Sequence, residues 1–199
     1  MIAERRMLTF SGSAIDTARR LLGQRLVRVV EGVRLAAVIV EVEAYLGEED
    51  AASHTYKGRR TARNESMYLA GGHAYVYMIY GMHHCLNVVC GRQGVGTAVL
   101  IRAAEPCEGV EIMAANRGVT QLTNLCSGPG KLAQAMCIDR SLDGEDLRVS
   151  EHLFIEQVRK RALPSRFVQC GPRIGVAYAG EWAAKPLRYF VTGNSHVSC

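Results

Sequence analysis

The chain has 199 residues, a length that fits one domain and can bury roughly 70% of its unfolded surface without a disulfide or structural metal. Lys and Arg number 24 against 19 Asp and Glu, a net charge of +5, which suits a nucleic-acid partner as well as it suits plain solubility. Seven cysteines without a CxxC pair, no leader and no bilayer-length apolar run point away from secreted, disulfide-built and membrane classes. Reduced thiols in a protein of the cytoplasm or the nucleoid follow most simply.

Residues 13–23 read as a short helix with a serine N-cap and a glycine stop. Residues 25–30 and 34–45 read as strands joined by a turn at 31–33. The second of these, ending Val38-Ile-Val-Glu-Val-Glu-Ala-Tyr45, carries two acids in an otherwise apolar run. A period of two puts Glu41, Glu43 and Tyr45 on one face, with alternate α-carbons about 6.6 Å apart. Buried acids are costly unless they are paired or functional, so that face is either solvated or a site.

The next hairpin spans residues 75–87 and holds three of the chain's eight tyrosines in six residues. Tyr75 and Tyr77 share a face. Tyr80 and Met82 fall at the tip, around Gly81. Apolar side chains on an exposed tip need a cover, and on a basic protein the inside of a duplex can provide it, since such wedges enter between base steps. His83, His84, Cys85 and Cys90 lie close together in the same hairpin but lack metal-ligand spacing, so no metal is expected.

Residues 91–96 form a glycine-rich turn into a strand at 97–104, followed by helices at 108–116 and 129–137. Leu125-Cys-Ser-Gly-Pro-Gly-Lys-Leu132 fails as a phosphate loop, because Leu125 replaces the first glycine and Leu132 follows the lysine. As the opening of a helix it still offers Gly130 and Lys131 to one phosphate, or it is a plain helix start. Residues 139–144 imitate a calcium loop but carry Ser150 at the twelfth position, so they read as a turn. Residues 161–172 read as loop, and strands return at 173–178 and 186–191. The sum is α+β: a single compact domain, 1–199, with a curved antiparallel sheet, inserted helices and a protruding hairpin.

Glu41-Val-Glu-Ala-Tyr-Leu-Gly47, Asp50-Ala-Ala-Ser-His54, Arg63-Asn64, residues 75–87, Leu100-Ile-Arg-Ala-Ala-Glu-Pro106, Cys126-Ser-Gly-Pro-Gly-Lys-Leu132 and Gly180-Glu-Trp-Ala183 occur in this order. Together they resemble the alkyladenine (3-methyladenine) DNA glycosylase family. That resemblance implies a monomeric, metal-free and cofactor-free enzyme acting on double-stranded DNA. It would flip a damaged purine out of the helix and hydrolyse its N-glycosidic bond. Glu43 then matches the base that activates water, and Arg102 and the Ile174 carbonyl match groups that position it. Tyr45, His54 and Tyr77 match the walls of the base pocket, and Asn87 a residue that crowds the 2-amino group of guanine. Tyr80 matches the wedge, and His83 stands beside it where an aromatic is possible in relatives.

Two other readings compete on the residues alone. A non-catalytic module could stack exposed bases on the tyrosine face, leaving Glu43 without a purpose. A sugar-specific glycosidase would use Glu41 and Glu43 as an equal pair.

Overall fold

The computed structural model describes residues 8–198; residues 1–7 and 199, the ends of the expected 1–199 domain, lie outside the described residues. Helix α1 (Ala14–Leu21) starts where the Ser13 hydroxyl accepts the Asp16 N–H at 3.1 Å, and it buries Ala14, Thr17, Ala18 and Leu21 along one face. Strands β1 (Arg25–Val30) and β2 (Val33–Tyr45) form a hairpin closed by Glu31 and Gly32, both left-handed. A two-residue loop of that kind matches the twist of its strands.

Strands β3 (Ala74–Ile79) and β4 (His83–Cys90) make the second hairpin. Tyr80 (φ 54°) and Gly81 (φ 70°) turn it, and the Met82 N–H closes on the Ile79 carbonyl at 3.3 Å. Left-handed backbone is uncommon for an aromatic residue, and it leaves Tyr80 83% and Met82 71% exposed. Strand β5 (Thr97–Glu108) follows, then helix α2 (Val110–Arg117) and helix α3 (Pro129–Ala135). Strands β6 (Leu153–Glu156), β7 (Val168–Gly171) and β8 (Arg188–Val191) complete the chain.

All strand pairs are antiparallel, in the order β3-β4-β5-β2-β1-β6, with β8 also pairing β2 and β7. The sheet is open and the domain is α+β, as the sequence leads one to expect. Its long centre is the β2–β5 ladder, whose register shifts between Ile39 and Val42 mark irregularities of the kind that bend and twist a strand. The core lies between this sheet and the helices, around Leu21, Leu26, Ile39, Val42, Ile101, Met113, Leu132 and Met136.

Two expectations need correction, and one strand, β6, was not expected. Residues 173–178 are not a strand: Gly175 takes φ 78°, and the chain passes into a 3-10 turn over Ala177–Ala183. Residues 161–172 are not all loop, because β7 pairs with β8 there. Strand β6 carries only four residues, too few for a periodic signal, and owes its state to pairing with β1.

Candidate active site

The β2, β3, β4 and β5 strands converge on a cavity of about 400 Å³, within the range of small-molecule sites. Glu43 reaches into it from β2 and is fully buried. One carboxylate oxygen accepts the Ile174 N–H at 2.8 Å and the other accepts the Tyr45 hydroxyl at 2.9 Å. Arg102, on β5, lies 3.4 Å from the first oxygen. Burial pushes the Glu43 carboxyl above its ordinary range, while Arg102, the Ile174 amide and the Tyr45 hydroxyl pull it back down. A buried carboxylate so held, open to a cavity, is suited to accept a proton. Ile174 makes this contact through its amide, whereas the resemblance assigns a role to its carbonyl.

Glu41 lies on the same face but does not line the cavity. It is fully buried, accepts from Arg188 at 2.9 Å and from the Ser198 N–H at 2.8 Å, and sits 3.4 Å from Arg102 Nε. The two acids therefore flank one arginine, and only Glu43 faces open space. Neither is on a solvated face.

Aromatic rings make the walls. Tyr45 comes from the end of β2, Tyr75 and Tyr77 from alternate positions of β3, and His54 from the loop after β2. The Tyr75 and Tyr77 rings are 5.2 Å apart, and His54 stands edge-on to Tyr77 at 4.6 Å. His54 Nδ1 is 2.7 Å from the Tyr75 hydroxyl. Burial, with Arg63 and Arg59 nearby, lowers its pKa to about 4, so the imidazole is neutral at pH 7. Its loop is pinned by Asn64, whose amide donates to the carbonyls of His54 and Arg59, each at 2.9 Å. That contact gives the Arg63-Asn64 motif a structural purpose.

Asn87 closes the floor opposite Tyr75 in the β3–β4 ladder and donates to the Tyr75 carbonyl at 3.1 Å. Tyr80, His83 and Gly130 form part of the rim, where a side chain on Gly130 would meet the His83 ring at 3.2 Å. Met82 is exposed at the hairpin tip and Lys131 donates to Asn124 at 2.6 Å; neither lines the cavity. Among the described residues, no group of three or more His, Cys, Asp or Glu gathers as a metal site would need.

Sequence reasoning missed several groups. The Arg173–Asp50 ion pair, with both side chains fully buried, has Nη2 2.8 Å from Oδ1. Asp50 also accepts the N–H groups of Leu46 and Ala52, each at 3.0 Å, so the pair clamps the loop that follows Tyr45. Arg173 stands 4.7 Å from the Tyr45 ring centroid. Cys85 and Tyr178 also line the cavity; nothing in their spacing marks them in advance.

The model of the methylpurine-DNA glycosylase family matches residues 8–195. The chain belongs to this family. Among its relatives, a protein of Bacillus cytotoxicus provisionally named a 3-methyladenine DNA glycosylase is 46% identical over 197 residues, covering 95% of this chain and 96% of the relative. A provisionally named counterpart in Bacillus cereus is 45% identical with the same coverage. The mouse protein named DNA-3-methyladenine glycosylase is 44% identical over 199 residues, covering 95% of this chain and 59% of the mouse protein. Membership in the methylpurine-DNA glycosylase family agrees with an aromatic cavity that has one buried acid at its floor.

Proposed function

We propose that this protein is a monofunctional DNA glycosylase that removes alkylated or deaminated purines from double-stranded DNA and leaves an abasic site. The observation that carries the proposal is the Glu43 carboxylate, buried at the floor of an aromatic cavity and held by Ile174, Tyr45 and Arg102.

Residues 1–199 act as one glycosylase domain, as a monomer and without metal or cofactor, on DNA of the nucleoid. The charge of +5 favours approach to phosphates. Gly130 and Lys131, at the start of α3, and Met82 beside the wedge contact the DNA strand. Tyr80, exposed and fixed by its left-handed turn, fills the gap left by the flipped nucleotide. The base stacks among Tyr45, Tyr77 and His54, and Asn87 crowds the exocyclic group of normal guanine.

Glu43 takes a proton from water, and the water oxygen bonds to the anomeric carbon while the bond to the base breaks. For a cationic alkylated purine the bonding electrons neutralise the departing base, so no further acid is required. Extrusion costs a few kcal/mol, least at a damaged or mispaired base, and this contributes to selectivity. Because no enzyme amine attacks the sugar, the strand is left uncut.

The test is base release from duplexes carrying 3-methyladenine, 7-methylguanine, hypoxanthine or ethenoadenine, with alkali converting each abasic site into a break. Release followed by breakage only after alkali is the expected result. Binding to damaged duplexes without release from any of them would favour a base-stacking module instead.

A further inference from the structure

Each of two tyrosines that wall the base pocket carries an arginine. The Arg173 guanidinium lies 4.7 Å from the Tyr45 centroid, and that of Arg63 lies 5.8 Å from the Tyr77 centroid. Neither arginine lines the cavity, so both sit outside the space a base would occupy.

The two charges are held differently. Arg173 is fully buried and paired with Asp50, and it also donates to the Ala44 carbonyl at 3.0 Å. Arg63 is exposed, donates to the Met78 carbonyl at 3.0 Å, and has no carboxylate within ion-pair distance among the described residues.

An aromatic face attracts a cation through its negative quadrupole. A ring already engaged by a guanidinium has less to offer a second cation, and the two positive charges also repel across it. Asp50 offsets part of this at Tyr45, and solvent screens part of it at Tyr77. The third wall, His54, contacts Tyr75 and Tyr77 as a neutral imidazole and brings no negative charge that would favour a cation.

We infer that Arg63 and Arg173 set the charge selectivity of the base pocket. By engaging Tyr77 and Tyr45 they reduce the advantage of a cationic alkylated purine, so that neutral damaged purines such as hypoxanthine are admitted on more equal terms. This rests on the glycosylase reading above. It assigns to two residues outside the pocket a part in deciding which lesions are taken.

The experiment measures binding, because a cationic base loses its charge as it leaves and the effect belongs to the stacked, intact nucleotide. Glu43→Gln serves as the background that stops turnover. Dissociation constants are measured for duplexes carrying 7-methylguanine, hypoxanthine or no lesion. They are compared before and after Arg63→Gln, and before and after the paired change Asp50→Asn with Arg173→Gln. Each change should shift the ratio of affinities toward 7-methylguanine by about threefold or more. Arg63→Lys, which keeps the charge, should restore most of the original ratio.

An unmoved ratio in Arg63→Gln, or a shift toward hypoxanthine, would overturn the inference. Arg63 is exposed, so its variant decides the matter even if the paired change fails to fold. Comparison with the undamaged duplex removes any uniform loss of phosphate contact. If no protein in the set prefers either lesion to undamaged DNA, it is the glycosylase reading that fails.

Discussion

Glu41→Gln separates a structural acid from a chemical one. Glu41 is fully buried and joined to Arg188, the Ser198 N–H and Arg102. The amide of glutamine would turn a donor toward a donor and leave two arginines without their shared counter-ion. Breaking a buried pair from one side costs about 3–5 kcal/mol. Arg188 keeps some solvent contact and its bond to the Pro172 carbonyl at 3.0 Å, which places this change near the lower end, about 3 kcal/mol. In a domain of this size each kcal/mol moves the melting temperature by about 2–4 °C, so a fall of about 6–12 °C is expected. Arg102 retains Glu43 at 3.4 Å and the Ser198 hydroxyl at 3.3 Å, so the cavity keeps its shape. Single-turnover excision at saturating enzyme, measured well below the melting range, should therefore fall by less than about tenfold. Loss of a general base costs about 10²–10⁴-fold. If Glu41→Gln melted normally and lost excision as deeply as Glu43→Gln, the division of roles would be wrong and a paired-carboxylate mechanism would replace it.

Other perturbations follow from the same contacts. Tyr45→Phe removes a donor that lowers the Glu43 pKa, so the acid limb of the excision profile should move to higher pH; a limb that stays or moves lower contradicts the bond at 2.9 Å. Because burial raises the Glu43 pKa in the folded state, the native protein binds more protons than the unfolded chain between the ordinary carboxylate value and the raised one. Stability contributed at this site is thus lost as pH rises through that window. The melting temperature of Glu43→Gln relative to wild type should accordingly rise as pH rises through that window, and melting at several pH values checks the sign. Asp50→Ala leaves Arg173 buried and unpaired, a cost of about 3–5 kcal/mol that thermal unfolding would register. Tyr80→Ala should weaken binding to damaged duplexes more than the salt-sensitive binding to any duplex, and equal loss of both would argue against a wedge.

Much of the framework was legible because it is local. Ser13 and Gly23 bracket α1, the Glu31-Gly32 and Tyr80-Gly81 turns fix two hairpins, and a period of two puts Glu43 beside Tyr45 and Tyr75 beside Tyr77. Where alternation misled, a glycine explains it. Ile174, Val176 and Tyr178 look like one face of a strand, but Gly175 is left-handed and Ile174 is turned so that its amide meets Glu43. The four-residue strands β6 and β7 exist through their partners and leave almost no trace in their own sequence.

Glu41 and Glu43 have the same parity and similar neighbours in the chain. What distinguishes them arrives from the C-terminal end, where Arg188 and Ser198 enclose one acid and Ile174 holds the other at the cavity. Asp50 and Arg173 are likewise far apart in sequence and meet only when β2 and the segment before the last strand are brought together. No periodicity foretells such a pair.

The most direct test of the account is base release by wild type and Glu43→Gln, side by side, from a duplex carrying one damaged purine. Wild type should release the base, and the variant should bind the same duplex while excising at least about 10²-fold more slowly. Excision by Glu43→Gln at a rate near that of wild type would remove Glu43 from the chemistry and contradict the mechanism.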